Sequence, residues 1–562
     1  MYKLKSHFRR LTNALRYLAR GDFSGLLRRL KWYQEEHKHI KLRHRLVNDG
    51  GRIWGILCTP HTFFIANAIA DRLAKHGINS EIMAGSPDDF DYVFYIVLCP
   101  QMFKVLPPAE KRAVFQLEQS ISSRWFTNDY IKILCDSVAT IDYSRVNIEF
   151  LAAKGVEYPK IHYVPIGAVY GSVDEKKTRE YDFVFYGDSL SCERRRYFLE
   201  KLKRKYRVKI CNNVFGDEMY SIIRRAKAVI NIHYYEGALL ETPRISECIS
   251  LGIPVLSEGS RDQGEYPEFE GAVRFFDQGS VESMMSAAAD MLGDIDAIGE
   301  TVRRTIMKSS DRFNFMLDRF LVALGAIPVE AILTNSPYIE RPSSCFALSL
   351  PEAVERRKAI ERVLPERFQL FDGIRHSSAW IGCGGSFKAL SRYARSNGLK
   401  RLAIIEDDII LPENFNELLC EVDQYLERRV AHWDLFSGLM ADVCSSAKVY
   451  SVETYGSRTY VTIDRMTSMV CNIYNESALA LLSDWNPSNT EISTNTIDRY
   501  LERQESLRVV VCLPFLVGYN VEATSTLWGF NNSRYIPMIK KAEKKIEIMA
   551  NDWLQRRGGV VN

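Results

Sequence analysis

Three carboxylates in a row, Glu406-Asp407-Asp408, follow the apolar run Leu402–Ile405 directly, and apolar residues then resume until Pro412. Adjacent like charges repel unless they are solvated or share something positive. An apolar run bounded by polar residues reads as a strand buried on both faces. Side chains alternate along a strand, which predicts Glu406 and Asp408 on one side and Asp407 on the other. Open α/β sheets bind ligands beyond the carboxyl ends of their strands. Two carboxylates at such an end suit a hard divalent cation, Mn2+ or Mg2+, which takes one or two protein carboxylates and completes its shell with water and substrate phosphates. The expected chemistry is a metal–diphosphate site with Glu406 and Asp408 as metal ligands; a strand cap or surface role is the alternative. His432 is either a further metal ligand or a structural histidine. The cluster Asp88, Asp89 and Asp91 in "SPDDFDY" reads instead as a solvated loop.

Two more stretches carry chemistry. In "FYGDSLSCERRR", Gly187 follows a strand and lets a diphosphate approach the backbone, and Arg194 to Arg196 would neutralise it. The same arginines also fit a solvated helix face. In "STNTIDRYL", Asp498 opens a predicted helix, either as a general base or as a first-turn aspartate favoured by the helix dipole. His233, in "INIHYYEG", reads as a buried structural histidine.

These residues need elements to hold them. From Arg52 short strands alternate with helices in two successive series, the second opening at "YDFVFYGD". Alternation of this kind builds parallel sheets from βαβ units. "HTFFIANAIADRLAKHG" predicts a helix stopped by Gly77. A third α/β unit starts near Ser343, after the linker-like "TNSPYIERPSS", and "KVYSVETYGSRTYVTIDRMTSMVCNIY" has the β-branched, aromatic texture of antiparallel strands. "YIPMIKKAEKKIEIMANDW" predicts a closing helix. The fold class is therefore α/β: two Rossmann-like lobes at 49–172 and 173–330, a linker at 331–342, and an α/β domain with an antiparallel addition at 343–562.

The 562 residues are too many for one ordinary core. Apolar content of 46% and charged content of 26% are those of a globular protein, and a net charge of +4 gives no bulk signal for nucleic acid. The twelve cysteines are scattered, which fits a reducing compartment. No apolar stretch approaches the roughly 20 residues of a membrane span. Residues 1–48 carry thirteen Lys/Arg against three acidic residues, with Leu4, Phe8, Leu11, Leu15 and Leu18 at helical spacing. That pattern describes a basic amphipathic helix pair, either lying on an anionic membrane surface or packed on the body of the protein.

The third unit resembles glycosyltransferase family 25, a GT-A group of the lipopolysaccharide type. "CFALSLPEAVERRKAI", "FQLFDGI", "IGCGGSFKAL", "LAIIEDDIIL", "TSMVCNIYNESALALL" and "PFLVGYNVEATSTLWG" occur in the family's order, from Ser343 to Gly529. Where the family has Ser-His after its Gly-Cys, this chain has Ser386-Phe387. The resemblance implies inverting, metal-dependent transfer of a sugar from a nucleotide-sugar, a UDP-sugar, to a hydroxyl. It implies Asp498 as catalytic base and Asp372 as a donor contact. Asp407 is a candidate for the donor sugar or ribose hydroxyls, and Arg356 and Arg357 either contact the diphosphate or nucleotide or are exposed helix arginines. The first two lobes resemble a GT-B glycosyltransferase: "ETPRISECISLGIPVLSE" is similar to the nucleotide-binding helix and strand of retaining enzymes, with Glu247 at the glutamate that binds the donor ribose. The family's second glutamate falls at Leu239, flanked by Glu236 and Glu241. The donor set expected here is Gly187, Arg195, Arg244, Glu241 and Glu247. Together these resemblances imply a bifunctional glycosyltransferase acting on a glycan or lipid-linked glycan acceptor of a bacterial surface polysaccharide, lipopolysaccharide or capsule, in the cytoplasm or peripherally on the inner face of the plasma membrane. Alternatives are a single active C-terminal transferase with a non-catalytic, acceptor-binding GT-B-like half, and a non-catalytic assembly scaffold.

Overall fold

The computed structural model describes residues 53–121, 124–156, 158–169, 179–430, 432–504 and 507–558, with Leu27, Leu42 and Leu46. The expected basic helix pair at 1–48 otherwise lies outside the described residues. The chain divides into two compact units, Asn48–Phe320 and a second that includes Leu321–Asn562.

The first unit holds two parallel sheets. One runs, edge to edge, Ser80–Met83, Trp54–Leu57, Phe94–Leu98, Arg112–Gln116, Ala139–Asp142, Ile161–Tyr163. The other runs Val273–Phe276, Val255–Glu258, Ala226–Asn231, Tyr181–Tyr186, Val208–Cys211. Every pairing within them is parallel. The central strand Phe94–Leu98 is buried at all its positions, as a strand covered on both faces must be. The helix Phe63–Lys75 ends as expected before Gly77, whose φ of +72° lets the chain turn away. In each sheet the strand order reverses once, beside Trp54–Leu57 and beside Tyr181–Tyr186, which leaves a crevice at the carboxyl ends.

The second unit is built on an eight-stranded mixed sheet: Gln369–Asp372, Cys345–Ser349, Arg401–Glu406, Cys471–Asn475, Leu435–Ser437, Val509–Leu513, Arg458–Ile463, Val449–Tyr455. The first three strands are parallel, and Cys471–Asn475 pairs antiparallel with Arg401–Glu406. The hairpin Val449–Tyr455/Arg458–Ile463 is the expected antiparallel addition. The closing helix spans Ile536–Gly558. Phe387, which takes the place of the family's histidine, is fully buried and meets Tyr474 edge-on.

The expected linker at 331–342 overlaps a packed helix at its start. Val329–Leu333 is a helix with Val329, Ile332 and Leu333 buried. Arg392 Nη1 donates to the Leu333 carbonyl at 2.9 Å, and the Gln369 amide bonds the backbone of Arg341 in both directions. Apolar packing ties Val329–Leu333 to the second unit, while 334–336 and 340–342 are exposed irregular backbone.

Candidate functional sites

In the first unit, residues at the carboxyl ends of strands from both sheets line one cavity of about 470 Å³. Pro60 and His61 follow Trp54–Leu57, Gln119 follows Arg112–Gln116, and Tyr186 to Asp188 close Tyr181–Tyr186. Glu241, Arg244 and Glu247 reach the same cavity from the start of the helix Thr242–Ser250 and from its second turn.

Gly187 has a φ of +125°, and a β-carbon there would stand 2.9 Å from Arg244 Nη2 and 3.7 Å from Arg195 Nη1. Two guanidiniums therefore crowd the bare backbone at the strand end. Both pair with Glu241, Arg195 at 2.9 Å and Arg244 at 2.8 Å, so the trio carries one net positive charge. Burial alone would raise the Glu241 carboxyl, but Arg244 and Arg195 outweigh it and hold it low. Arg244 is also held by Asn231 at 2.7 Å, and Arg195 by the Ile232 carbonyl at 2.8 Å. Arg195 stands behind the lining, in support of Arg244. Glu247 accepts from the hydroxyls of Tyr186 at 2.9 Å and Tyr220 at 3.0 Å, while burial pushes its carboxyl above the ordinary range.

The rest of the arginine run does other things. Arg194 pairs with the fully buried Glu258, and Arg196 lies in solvent and donates to the Leu190 carbonyl. His233 is fully buried, and neither ring nitrogen meets a hydrogen-bond partner. Glu236 is exposed, and Leu239 is fully buried with its backbone bonded to Gln119. No local pattern in the sequence points to Tyr186, Tyr220 or Gln119, since isolated tyrosines and glutamines carry none.

In the second unit the strand Arg401–Glu406 runs into a turn at Asp407 and Asp408. The turn breaks the expected alternation, so Asp407 is not segregated from Asp408: the Arg356 guanidinium pairs with Asp407 and lies 3.3 Å from Asp408. Asp407 also accepts from Ser349 Oγ at 2.7 Å. Asp408 Oδ2 accepts from Asn532 Nδ2 at 3.0 Å and Tyr519 Oη at 3.2 Å, whereas its buried Oδ1 has no partner. Glu406 is pushed up to about 8, first by burial and then by Asp408, with Asp407 and Asp498 adding to it. Asp498 sits in the first turn of the helix Ile497–Glu502, close enough to act on Glu406 through its charge. Cys383, from the Gly-Cys helix start, has its thiol 3.9 Å from Glu406 Oε1. Arg357 and Asp372 pair with each other at 3.0 Å, and Arg357 also holds Glu361.

Among the described residues no set of three His, Cys, Asp or Glu side chains gathers as a metal site, and His432 is exposed. A cation here would be held by Glu406 and Asp408 and would draw its other ligands from phosphates and water. A raised glutamate and an orphaned buried carboxylate oxygen fit such an ion.

No family model matches the chain. A curated but uncharacterized protein of Acanthamoeba polyphaga mimivirus is 26% identical over 187 residues, covering 31% of this chain, which spans 59% of that relative's length. Similar solved structures include a synthase, a glucosyltransferase and a UDP-N-acetylglucosamine 2-epimerase. Sucrose-phosphate synthase from Thermosynechococcus elongatus is 11% identical, covers 48% of this chain and 98% of its own, and has a TM-score of 0.35. HepE from Anabaena, in complex with UDP-glucose, is 11% identical, covers 47% and 95%, and also has a TM-score of 0.35. An alpha-glucosyltransferase in complex with UDP-glucose and DNA is 10% identical, covers 48% and 98%, and has a TM-score of 0.33. At such scores and identities the likeness bears on neither activity nor substrate. The functional reading rests on the two sites themselves.

Proposed function

We propose that the protein is a glycosyltransferase that takes its sugars from nucleotide-sugar donors. The observation that carries this reading is the Arg244 guanidinium over the bare backbone of Gly187, with Arg195 behind it, while Glu247 faces the same cavity. A diphosphate suits a guanidinium fork at a strand end, since charge-assisted bidentate bonds are short and strong. A carboxylate oriented by two tyrosine hydroxyls suits a ribose diol. The cavity has the size of a small-ligand site, about 300–1,000 Å³. Titration of the purified chain with UDP tests the reading: binding that weakens at least about tenfold in R244M supports it, and unchanged affinity in R244M and E247Q refutes it.

The acidic turn supports a second transferase centre, of the metal-dependent, inverting kind. Glu406 and Asp408 would hold Mn2+ or Mg2+, and the ion would offset the charge that develops on the leaving diphosphate. Asp498 would take the proton of the acceptor hydroxyl. Loss of transfer in D408N and D498N, with UDP binding at the first-unit cavity intact, is the expected result. A second reading makes the first unit a donor- or acceptor-binding half without transfer; it draws on Leu239, buried where the retaining pattern has an acid. E247Q that abolishes binding but leaves sugar transfer unchanged would favour it.

The acceptor we propose is a glycan or lipid-linked glycan of a surface polysaccharide, with residues 1–48 attaching the protein to the anionic inner face of the membrane. The thirteen basic residues there support it. Each basic residue near an anionic surface contributes about 1 kcal/mol, screened within about 8 Å at physiological salt. Release from anionic vesicles at high salt is expected; no binding at low salt overturns this part.

A further inference from the structure

We infer that Arg356 is a built-in stand-in for the cation, and that exchange of its guanidinium for a divalent ion unlatches the loop 520–532. The inference rests on the reading of Glu406 and Asp408 as cation ligands and goes beyond it.

Arg356 spans three groups. Its guanidinium pairs with Asp407, lies 3.3 Å from Asp408 and donates to the Thr524 carbonyl at 3.2 Å. Thr524 is in the middle of the loop. Asp408 holds both ends of the same loop: its carbonyl accepts from the Asn520 amide at 2.9 Å, and its carboxylate accepts from Asn532 Nδ2 at 3.0 Å. Tyr519, just before the loop, donates to that carboxylate as well. The loop folds on itself through Ser525 N to Phe530 O and Asn532 N to Ala523 O, both at 2.9 Å. Acidic turn, arginine and loop therefore form one polar assembly with the arginine at its centre.

Part of that assembly lacks partners. Asp408 Oδ1, Asn532 Oδ1 and Arg356 Nε are buried without one. Asn532 is fully buried and Asp408 is 5% exposed. Two oxygen acceptors without donors, on the side chain that anchors the loop and on its asparagine partner, are what a cation would satisfy and a guanidinium facing Asp407 does not. A divalent ion carries twice the charge of a guanidinium and binds carboxylates at shorter range, so it displaces the arginine from Asp408. The Thr524 contact is lost with it, and a positively charged side chain is freed beside the ion, where a diphosphate would lie.

The test uses the full chain, stripped of metal by chelation, with Mn2+ as the probe. Calorimetry reads Mn2+ affinity, and hydrogen exchange reads the backbone amides of 520–532. In the native protein Mn2+ should speed exchange at Ser525, beside the released Thr524 carbonyl, while Asn532, held by the ion, stays protected. In R356M that exchange should be fast before Mn2+ is added, and Mn2+ should bind about tenfold more tightly because its competitor is gone. R356K keeps the charge without the fork; it should loosen the loop while leaving Mn2+ affinity near the native value. Weaker Mn2+ binding in R356M overturns the inference. So does a loop that responds neither to Mn2+ nor to either substitution, even where Mn2+ binds. Absence of Mn2+ binding in both native protein and R356M removes the cation reading and the inference with it, so the two failures are distinguishable.

Discussion

Arg244 Nη2 lies 2.9 Å from the point where a β-carbon on Gly187 would stand. The glycine thus sets how closely the guanidinium can approach the strand end. Alanine at this position would displace Arg244 and also hold a backbone at φ +125°, which costs about 1–2 kcal/mol for a residue with a β-carbon. G187A should melt a few degrees lower and bind UDP at least about tenfold more weakly. Native affinity in a folded G187A would show that the diphosphate does not use this corner.

Tyr186 and Tyr220 hold the two oxygens of Glu247 from different elements, a strand end and a helix. A hydrogen bond to a charged group contributes roughly 1.5–3 kcal/mol. Y186F and Y220F should each loosen the carboxylate and weaken UDP binding several-fold, and E247Q should weaken it more. A control with 2′-deoxy-UDP separates a ribose contact from general packing: native protein should prefer UDP, and E247Q should lose that preference.

The parts of both sites that follow from local pattern were legible in the sequence. Glycine after a strand, acids after an apolar run and a first-turn aspartate each mark an element boundary, and boundaries of that kind put Gly187, Glu406 and Asp498 where they are. What was not legible is the set of long-range partners. Tyr519 and Asn532 lie 111 and 124 positions from Asp408. No local spacing records a contact of that range. The side of the strand expected for Asp407 failed for another reason: strand alternation applies only while the backbone stays extended, and the chain turns at Asp407. The expected linker starts too early: Ile332 and Leu333 are packed in a helix, while the irregular backbone that Pro and Ser mark follows them, exposed at 334–336 and 340–342.

The acidic turn predicts how stability depends on pH. In the folded protein burial and then Asp408 push the Glu406 carboxyl up to about 8 from its ordinary 4.5. Between these values the folded chain keeps a proton that the unfolded chain has released, so stability falls as pH rises from about 4.5 to about 8 and levels off beyond. E406Q has no such proton to lose. Metal-free E406Q should therefore melt higher than the native protein, with a margin that widens from pH 5 to about 8. Excess Mn2+ should raise the native melting temperature most at the alkaline end, where the carboxylates are ionised, and should do little for E406Q. A margin that is constant with pH would mean that Glu406 titrates normally in the folded state.

Packing of Val329, Ile332 and Leu333 into the second unit decides where that unit can be cut out of the chain. Each buried aliphatic side chain contributes about 1.5–3 kcal/mol relative to exposure, and Val329 touches the helix Ala379–Ser396 at Gly385, where a β-carbon would come within 3.4 Å of it. A fragment beginning at Ala326 keeps this helix and the carbonyl that Arg392 holds. One beginning at Ser343, after the proline-containing stretch, loses both and leaves an apolar groove open along Ala379–Ser396. The longer fragment should melt several degrees higher and stay soluble at concentrations where the shorter one aggregates. Equal melting temperatures would show that Val329–Leu333 contributes nothing to the second unit.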